Sequence, residues 1–185
     1  HLGDGGTLTV SLTLAAGTHI VRVTEKLRPS LFGEQSVAVV NHAPSGTDRT
    51  ITRNEGATHT FTAAQFGFSD PNDSPAHALA SVRITTLPAQ GSLKLNNVAV
   101  TAGQNITVAN INAGLLKFTP DADENGSPYT SFTFQVRDNG GTLGGGVNLD
   151  PTPNTITFNI TPVNDPPAIS NFGGAITYTE NGSAI

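Results

Sequence analysis

Apolar and polar residues alternate along most of the chain, which is the pattern of half-buried β-strands. In residues 7–14, TLTVSLTL, leucine and valine share one face, and threonine or serine lies on the other. Residues 131–137, SFTFQVR, and residues 155–161, TITFNIT, repeat the alternation with phenylalanine, valine and isoleucine. Each segment is therefore predicted to be a strand with one face on a core and the other in solvent.

Shorter segments of the same kind predict further strands, at residues 19–23, 36–40, 58–62, 79–86, 92–95, 98–100, 105–108 and 115–119. Asn96 and Asn97 lie between two of them and favour a tight hairpin, because asparagine tolerates positive φ. Many short strands at this spacing are typical of a β-sandwich.

Two similar connectors indicate an internal repeat. The segments VVNHAP (39–44) and PVNDPP (162–167) both follow a strand and place Asn41 and Asn164 before a proline, 123 positions apart. An Ile-Thr pair and an acidic-glycine signal follow each connector. The connectors therefore predict one complete unit at 42–166, the closing strands of a preceding unit at 1–41 and the opening strand of a following unit at 167–185.

Composition narrows the function classes. Hydrophobic residues make up 36% of the chain and charged residues 12%, with a net charge of −5 and no run of Lys or Arg. A nucleic-acid partner or insertion into a membrane is therefore not expected. The chain has no cysteine, which excludes disulfides and thiolate–metal sites. No Ser/His/Asp arrangement or nucleophile elbow is present, so the chain is not predicted to be an enzyme.

The acidic residues are expected to gather at the two ends of the sandwich, because successive loops alternate between its ends. The end nearest Asn41 is named the top and the opposite end the bottom. Strand counting places Glu55, Asp121, Asp123, Glu124, Asn164 and Asp165 at the bottom. It places Asp70, Asp73 and Asp138 at the top, beside Asn41 and His42.

Carboxylates that converge repel one another unless a cation neutralises them. Ca²⁺ suits such clusters because it accepts about six to eight oxygen ligands in flexible geometry, whereas Zn²⁺ favours His or Cys. The five histidines show no ligand spacing. The alternative is that Asp, Asn and Gly are here simply as turn formers. Residues 121–126, DADENG, match half of an EF-hand loop, but Phe132 stands at the twelfth position and excludes that motif.

Residues 41–167 resemble a cadherin-like repeat, of the kind found in tandem in large bacterial surface proteins and adhesins, and are also similar to chondroitin-sulfate-proteoglycan-type repeats. The motifs that carry the resemblance are NEG (54–56), FGFSDPND (66–73), ITTLPAQGSLKLNNVAVTAGQNIT (84–107), LLKFTPDADENG (115–126), SFTFQVRDNG (131–140) and ITPVNDPP (160–167). The resemblance implies an all-β, Ig-like or cadherin-like Greek-key β-sandwich, with one complete unit flanked by partial units. It also implies Ca²⁺ between consecutive repeats.

The resemblance implies a ligand set as well. The residues that match the positions of metal ligands in such repeats are Glu55, Asp123, Glu124, Asn164 and Asp165 at the bottom and Asp70, Asp73 and Asp138 at the top. His42 stands where the second connector has Asp165, which removes a carboxylate. The top is therefore predicted to be the weaker junction.

The function expected from these observations is that of a non-catalytic structural or adhesive segment of a large bacterial extracellular protein, secreted or on the cell surface. Its partners would be neighbouring repeats and a cell-surface glycan or protein. Two alternatives remain open: a lectin-like, carbohydrate-binding module, and a fibre subunit that assembles by strand complementation. The glycine-rich residues 140–147 are predicted to form a flexible loop, since no helix follows them.

Overall fold

The computed structural model describes residues 40–164 in full and the backbone of two segments before them. These segments form strands β1 (Gly17–Val23) and β2 (Gly33–Val39), which pair antiparallel as a hairpin. The predicted strand at 7–14, residues 24–32, Asp165 and the predicted opening strand at 167–185 lie outside the described residues. The three predicted domain boundaries therefore stay predictions.

Nine further strands form two sheets that face each other. They are β3 (Arg49–Asn54), β4 (His59–Thr60), β5 (Leu79–Ile84), β6 (Ser92–Leu95), β7 (Val98–Ala99), β8 (Asn105–Thr107), β9 (Leu116–Thr119), β10 (Gly126–Asp138) and β11 (Asn154–Thr161). One sheet has the order β3-β11-β10-β5-β8 and the other the order β4-β9-β6-β7. This arrangement confirms the prediction of an all-β, cadherin-like sandwich.

The core between the sheets follows the alternation seen in the sequence. Phe132 and Phe134 of β10 are buried, as are Ile156 and Phe158 of β11. The Phe158 ring stacks on that of Phe118 in β9, with ring centroids 4.0 Å apart. The polar residues between them face solvent, so the period-2 pattern correctly predicted which face of each strand is buried.

The first and last strands of the unit run parallel, which fixes its two ends. β3 pairs with β11 in parallel from Arg49↔Ile156 to Asn54↔Thr161, and β10 runs antiparallel to β11. The end of β11 also lies beside the start of β10, where Ile160 pairs with Gly126. The chain therefore enters the unit at the top and leaves it at the bottom, as strand counting predicts.

Three local features differ from the predicted elements or sharpen them. The strand predicted at 105–108 ends at Thr107, whose side chain caps a short helix, α1 (Val108–Asn112), by accepting a hydrogen bond from Asn110 N at 3.2 Å. The strand predicted at 58–62 ends at Thr60, and a 3-10 turn (Ala63–Phe66) follows. Both asparagines of the predicted hairpin, Asn96 and Asn97, have positive φ, as expected.

Among the described residues, no helix has the length and apolar character needed to cross a membrane.

Candidate functional site

Three chain segments meet at the top of the sandwich: the first connector, the loop that precedes β5, and the end of β10. The connector is fixed to the loop by a bridge in which the backbone N–H groups of Ser45 and Ser69 donate to each other's carbonyl oxygens, at 2.8 and 2.9 Å. The loop carries Asp70 and Asp73, and β10 ends in Asp138. The three aspartates that strand counting placed at the top are therefore brought to one place.

Asn41 of the connector is buried in this cluster, with only 2% of its surface exposed. Its Nδ2 lies 3.1 and 3.3 Å from the two carboxylate oxygens of Asp138, 3.1 Å from Gly141 O and 2.8 Å from Val147 O. All of these neighbours are acceptors, which fixes the orientation of the amide. Its Oδ1 consequently points the other way, towards Gly140 and His77, and has no hydrogen-bond partner.

The glycine-rich segment has a defined role in holding this asparagine, which the prediction of a flexible loop missed. Besides the two carbonyls that accept from the Asn41 side chain, the N–H of Val147 donates to Asn41 O at 2.9 Å. A Cβ on Gly140 would overlap Asn41 Oδ1, and one on Gly146 would lie 3.0 Å from Asn41 Cβ. Glycines are needed at these two points so that the loop can close around the connector.

Asp70 belongs to this top cluster, and its side chain is fully buried. Its Oδ2 accepts a hydrogen bond from His77 N at 2.8 Å, while its Oδ1 has no partner. Burial raises the pKa of Asp70 and the nearby charges of Asp73 and Asp138 raise it further, although the hydrogen bond from His77 N opposes the shift. The protein thus holds a carboxylate where its negative charge is unfavourable.

Asp73 is bonded to the connector through His42. The N–H of His42 donates to its two oxygens at 3.2 and 3.0 Å, and His42 Nδ1 lies 3.0 Å from Oδ1. Burial would raise the pKa of Asp73, but these hydrogen bonds and the nearby histidines leave it lowered overall. His42 therefore holds Asp73 in place by hydrogen bonds. The sequence indicated only that a carboxylate is missing at this position, and this role was not predicted.

His77 is a further member of the cluster that sequence reasoning missed. Its Nδ1 lies 3.5 Å from Asp70 Oδ2 and 3.3 Å from Asp73 Oδ2 but is hydrogen-bonded to neither. Ligand atoms of Asp70, Asp73 and His77 all lie within 4.8 Å of one another. The sequence signal was present, since His77 closes the segment SDPNDSPAH that carries both aspartates.

The donor set of the top cluster fits a divalent cation. Asp70 Oδ1 and Asn41 Oδ1 are buried oxygens without a hydrogen-bond partner, and the charges of Asp73 and Asp138 act on Asp70. The oxygens of Asp138 already accept from Asn41 Nδ2 and Gly140 N. Within the described part of the chain, no Lys or Arg pairs with these aspartates, and the only basic side chains within 4.0 Å of their carboxylates are histidine rings. A group of buried oxygens without a fixed cationic side chain is the kind of environment that Ca²⁺ occupies in proteins.

The bottom residues share one end of the sandwich but are not gathered in the same way. The N–H of Val163 donates to Glu55 Oε2 at 3.2 Å. Asp121 and Glu124 are exposed, and the hydroxyl of Tyr129 lies 3.4 Å from Asp121 Oδ2 and 3.0 Å from Glu124 Oε2, to either of which it can donate.

Two more of the predicted bottom residues, Asp123 and Asn164, are exposed, and Asp165 lies outside the described residues. In the part of the chain that the structure describes, the bottom acids form no group of three carboxylate or imidazole ligands close enough to hold a metal. The sequence predicted that the top would be the weaker metal junction, whereas in the described residues the candidate ligands come together at the top.

Asp150 is a second buried aspartate that the sequence did not single out. Its Oδ2 accepts from Gly46 N at 2.7 Å and from Asn154 Nδ2 at 2.8 Å, and its Oδ1 accepts from Thr152 N at 2.9 Å. Both oxygens are satisfied by the protein itself. Asp150 therefore fixes the connector to the start of β11 and offers nothing to a ligand.

The described unit is a two-sheet sandwich with parallel first and last strands, and acidic residues gather at the end where the chain enters it. A model of the family described as cadherin-like matches residues 45–161, and the chain belongs to this cadherin-like family. Domains of this family are generally non-catalytic. No curated protein matches the sequence.

Proposed function

We propose that this chain is a non-catalytic structural and adhesive segment of a large extracellular protein, secreted or held on a bacterial surface, and that Ca²⁺ stiffens the junctions between its repeats. Its immediate partners are the neighbouring repeats of the same protein. Membership of the cadherin-like family supports the adhesive or structural role. The bound Ca²⁺, the surface location and the bacterial origin are proposed in addition to what family membership supports.

The observation that carries the proposal is the position of Asn41. This connector residue is inserted into the unit that follows it, where one face of its amide is bonded to Asp138, Gly141 and Val147. Its other face turns its oxygen towards Gly140 and His77, and His77 Nδ1 lies 3.5 and 3.3 Å from oxygens of Asp70 and Asp73. A connector held in this way is joined to the cluster, so a cation there would act on the junction directly.

Three residues would hold the cation: Asn41 through Oδ1, and Asp70 and Asp73 through their carboxylates. The carboxylate of Asp138 faces Nδ2 of Asn41 and would orient that amide. Bound Ca²⁺ would supply positive charge and cross-link oxygens of the connector to oxygens of the domain. Because the pKa of Asp70 is raised by burial and by its acidic neighbours, neutralising these charges should stabilise the folded unit. Binding to the folded state alone raises its stability further by mass action.

Thermal unfolding tests the calcium part of this proposal. We expect Ca²⁺ to raise the Tm of the chain relative to EDTA, and we expect Asp70→Asn to remove most of that rise. The matched control is Asp123→Asn, which changes an exposed aspartate at the bottom and should keep the rise. A Tm that is the same in Ca²⁺ and in EDTA would refute calcium binding.

The bottom junction is tested separately, because Asp165 belongs to it. If a second ion binds there, Glu55→Ala with Asp165→Ala should remove the part of the calcium effect that Asp70→Asn leaves. A calcium response that is fully lost in Asp70→Asn alone would assign all of it to the top.

The two alternatives receive less support. A sugar-binding platform requires an exposed aromatic face, and the large hydrophobic residues that are exposed in the described part of the chain are valines and leucines. Saturable binding on a glycan array would favour that alternative. Assembly by strand complementation would appear as concentration-dependent oligomers in size-exclusion chromatography, whereas the proposed function expects a monomer.

A further inference from the structure

We infer that the top cluster binds a first-row transition-metal ion such as Zn²⁺, with Nδ1 of His77 as a ligand. The inference rests on the proposed function for the presence of a cation at this junction, and it concerns which ions the cluster accepts. It is based on Nδ1 of His77, because an imidazole nitrogen is a type of ligand that an all-oxygen calcium site lacks.

The geometry of His77 supports this role. Its side chain is only 12% exposed, and its Nδ1 lies 3.5 and 3.3 Å from oxygens of Asp70 and Asp73 without a hydrogen bond to either. An imidazole nitrogen in such a position is unsatisfied in the metal-free protein, and a buried unsatisfied polar atom is costly. Coordination of a metal through its lone pair would satisfy it.

The two unpartnered oxygens of the cluster point to a cation independently of the histidine. Asp70 is 6% exposed and Asn41 is 2% exposed, and each has one oxygen without a hydrogen-bond partner. A Cβ on Gly140 would overlap both Asn41 Oδ1 and His77 Nδ1, so both atoms pack closely against the same point of the Gly140 backbone.

The combination of donors determines the class of metal. Two carboxylates, an amide oxygen and an imidazole form a mixed oxygen and nitrogen set, and imidazole is a ligand that suits Zn²⁺ and its neighbours far better than Ca²⁺. Ligand atoms of Asp70, Asp73 and His77 within 4.8 Å of one another are close enough for one ion to bridge all three. Ca²⁺ can use the oxygens alone, so losing the imidazole should affect the two ions differently.

His42 offers a matched control because it is a histidine at the same end of the molecule. Its side chain is 59% exposed and its Nδ1 lies 3.0 Å from Asp73 Oδ1, a contact on the outer side of the cluster. Adventitious zinc binding by surface histidines should depend on His42 at least as much as on His77. Binding inside the cluster should depend on His77.

The test is isothermal titration calorimetry of the whole chain with Zn²⁺ and, separately, with Ca²⁺. We expect His77→Ala to weaken Zn²⁺ binding by about tenfold or more, as the loss of a ligand or of its supporting partner commonly does. Ca²⁺ affinity in His77→Ala should change by less than about threefold, since its oxygen ligands remain. His42→Ala should retain most of the Zn²⁺ affinity.

Three outcomes would overturn the inference: no Zn²⁺ binding by the unmodified chain, equal losses of Zn²⁺ affinity in His77→Ala and His42→Ala, or an unchanged affinity in His77→Ala. Circular dichroism of each variant establishes that it is folded. If His77→Ala does not fold, the ring ¹⁵N shift of Nδ1 in the unmodified chain decides, because zinc ligation moves it and an uninvolved ring does not change. Zinc binding through His77 without calcium binding would leave the inference standing and refute the calcium part of the proposed function.

Discussion

The guanidinium group of Arg53 lies against Nδ1 of His59, with Nε at 3.0 Å and Nη2 at 2.8 Å. The imidazole is 1% exposed, and its Nε2 lies 3.2 Å from Gln65 Oε1. Because arginine can only donate, Nδ1 must be the acceptor and the ring proton resides on Nε2, from where it donates to Gln65. The contacts therefore hold His59 neutral and in one tautomer.

The first prediction is that the protein loses stability in mild acid through His59. Burial lowers the pKa of His59, the charge of Arg53 lowers it further, and the hydrogen bond to Gln65 opposes the shift. The unfolded chain then binds a proton that the folded chain does not, so the free energy of unfolding falls as the pH is lowered from above about 6.5 towards the folded pKa. Tm measured from about pH 7.5 to 5 should decrease over this window.

His59→Gln checks the cause of that decrease. We expect a lower Tm at neutral pH, because the residue lies in the core, together with a weaker dependence on pH between about 5 and 7. His42→Gln changes a histidine whose side chain is 59% exposed and serves as the control for replacing a histidine outside the core. If His59→Gln keeps the full decrease, another group is responsible.

The second prediction concerns the amide of Asn41. Asn41→Asp keeps the shape but replaces the donor Nδ2 with an oxygen that faces Asp138 and two carbonyls. Placing a buried charge against acceptors should lower the free energy of unfolding by about 2–4 kcal/mol in EDTA. Chemical denaturation measures the change, and Asn97→Asp, at an exposed hairpin position, should stay within about 0.5 kcal/mol of the unmodified chain.

The third prediction concerns the closure of the glycine-rich loop. Gly140→Ala places a methyl group on Asn41 Oδ1 and His77 Nδ1, so we expect lower stability and weaker metal binding. Gly103→Ala is the matched control outside the top cluster, because its Cβ would meet nothing within 4 Å and its φ of +84° costs only backbone strain. Equal Ca²⁺ affinity in the two variants would show that the space at Gly140 is not part of the site.

The fourth prediction concerns the packing between the sheets. Phe158 is fully buried and its ring contacts those of Phe118 and Phe61. Phe158→Ala should lower the free energy of unfolding by about 3–5 kcal/mol, the usual cost of removing a core phenylalanine. Val98→Ala, at a side chain that is 70% exposed, should change it by less than about 0.5 kcal/mol. A loss below about 1.5 kcal/mol for Phe158→Ala would mean that the core repacks around the cavity.

The sequence was sufficient to predict which faces of the strands are buried, because the alternation of apolar and polar residues is visible within each strand. Alternation alone identified the buried faces of β10 and β11, and the order of the strands identified their ends. It was not sufficient for α1, whose single turn buries only Ile111 and gives no helical period. It also misplaced the end of β4, where the side chain of Gln65 accepts from Thr62 N at 3.0 Å and starts a turn.

The candidate site was predictable as a set of residues but not as an arrangement. Counting strands placed Asp70, Asp73 and Asp138 at one end, because that result depends only on topology. Which oxygens remain unpartnered depends on how loops close across long sequence distances, as in the contacts between Asn41 and residues 138–147. His77 was missed for the same reason, since the sequence does not show that its ring turns inward.

The parallel pairing of β3 and β11 determines how the domain would carry a mechanical load. The chain enters at the start of β3 and leaves at the end of β11, so tension applied to the two ends of the unit would pull these two strands in opposite directions along their length. All six residue pairs from Arg49↔Ile156 to Asn54↔Thr161 are then loaded in shear at the same moment. Such a ladder cannot be opened one hydrogen bond at a time from a free end, so rupture requires many bonds to break together.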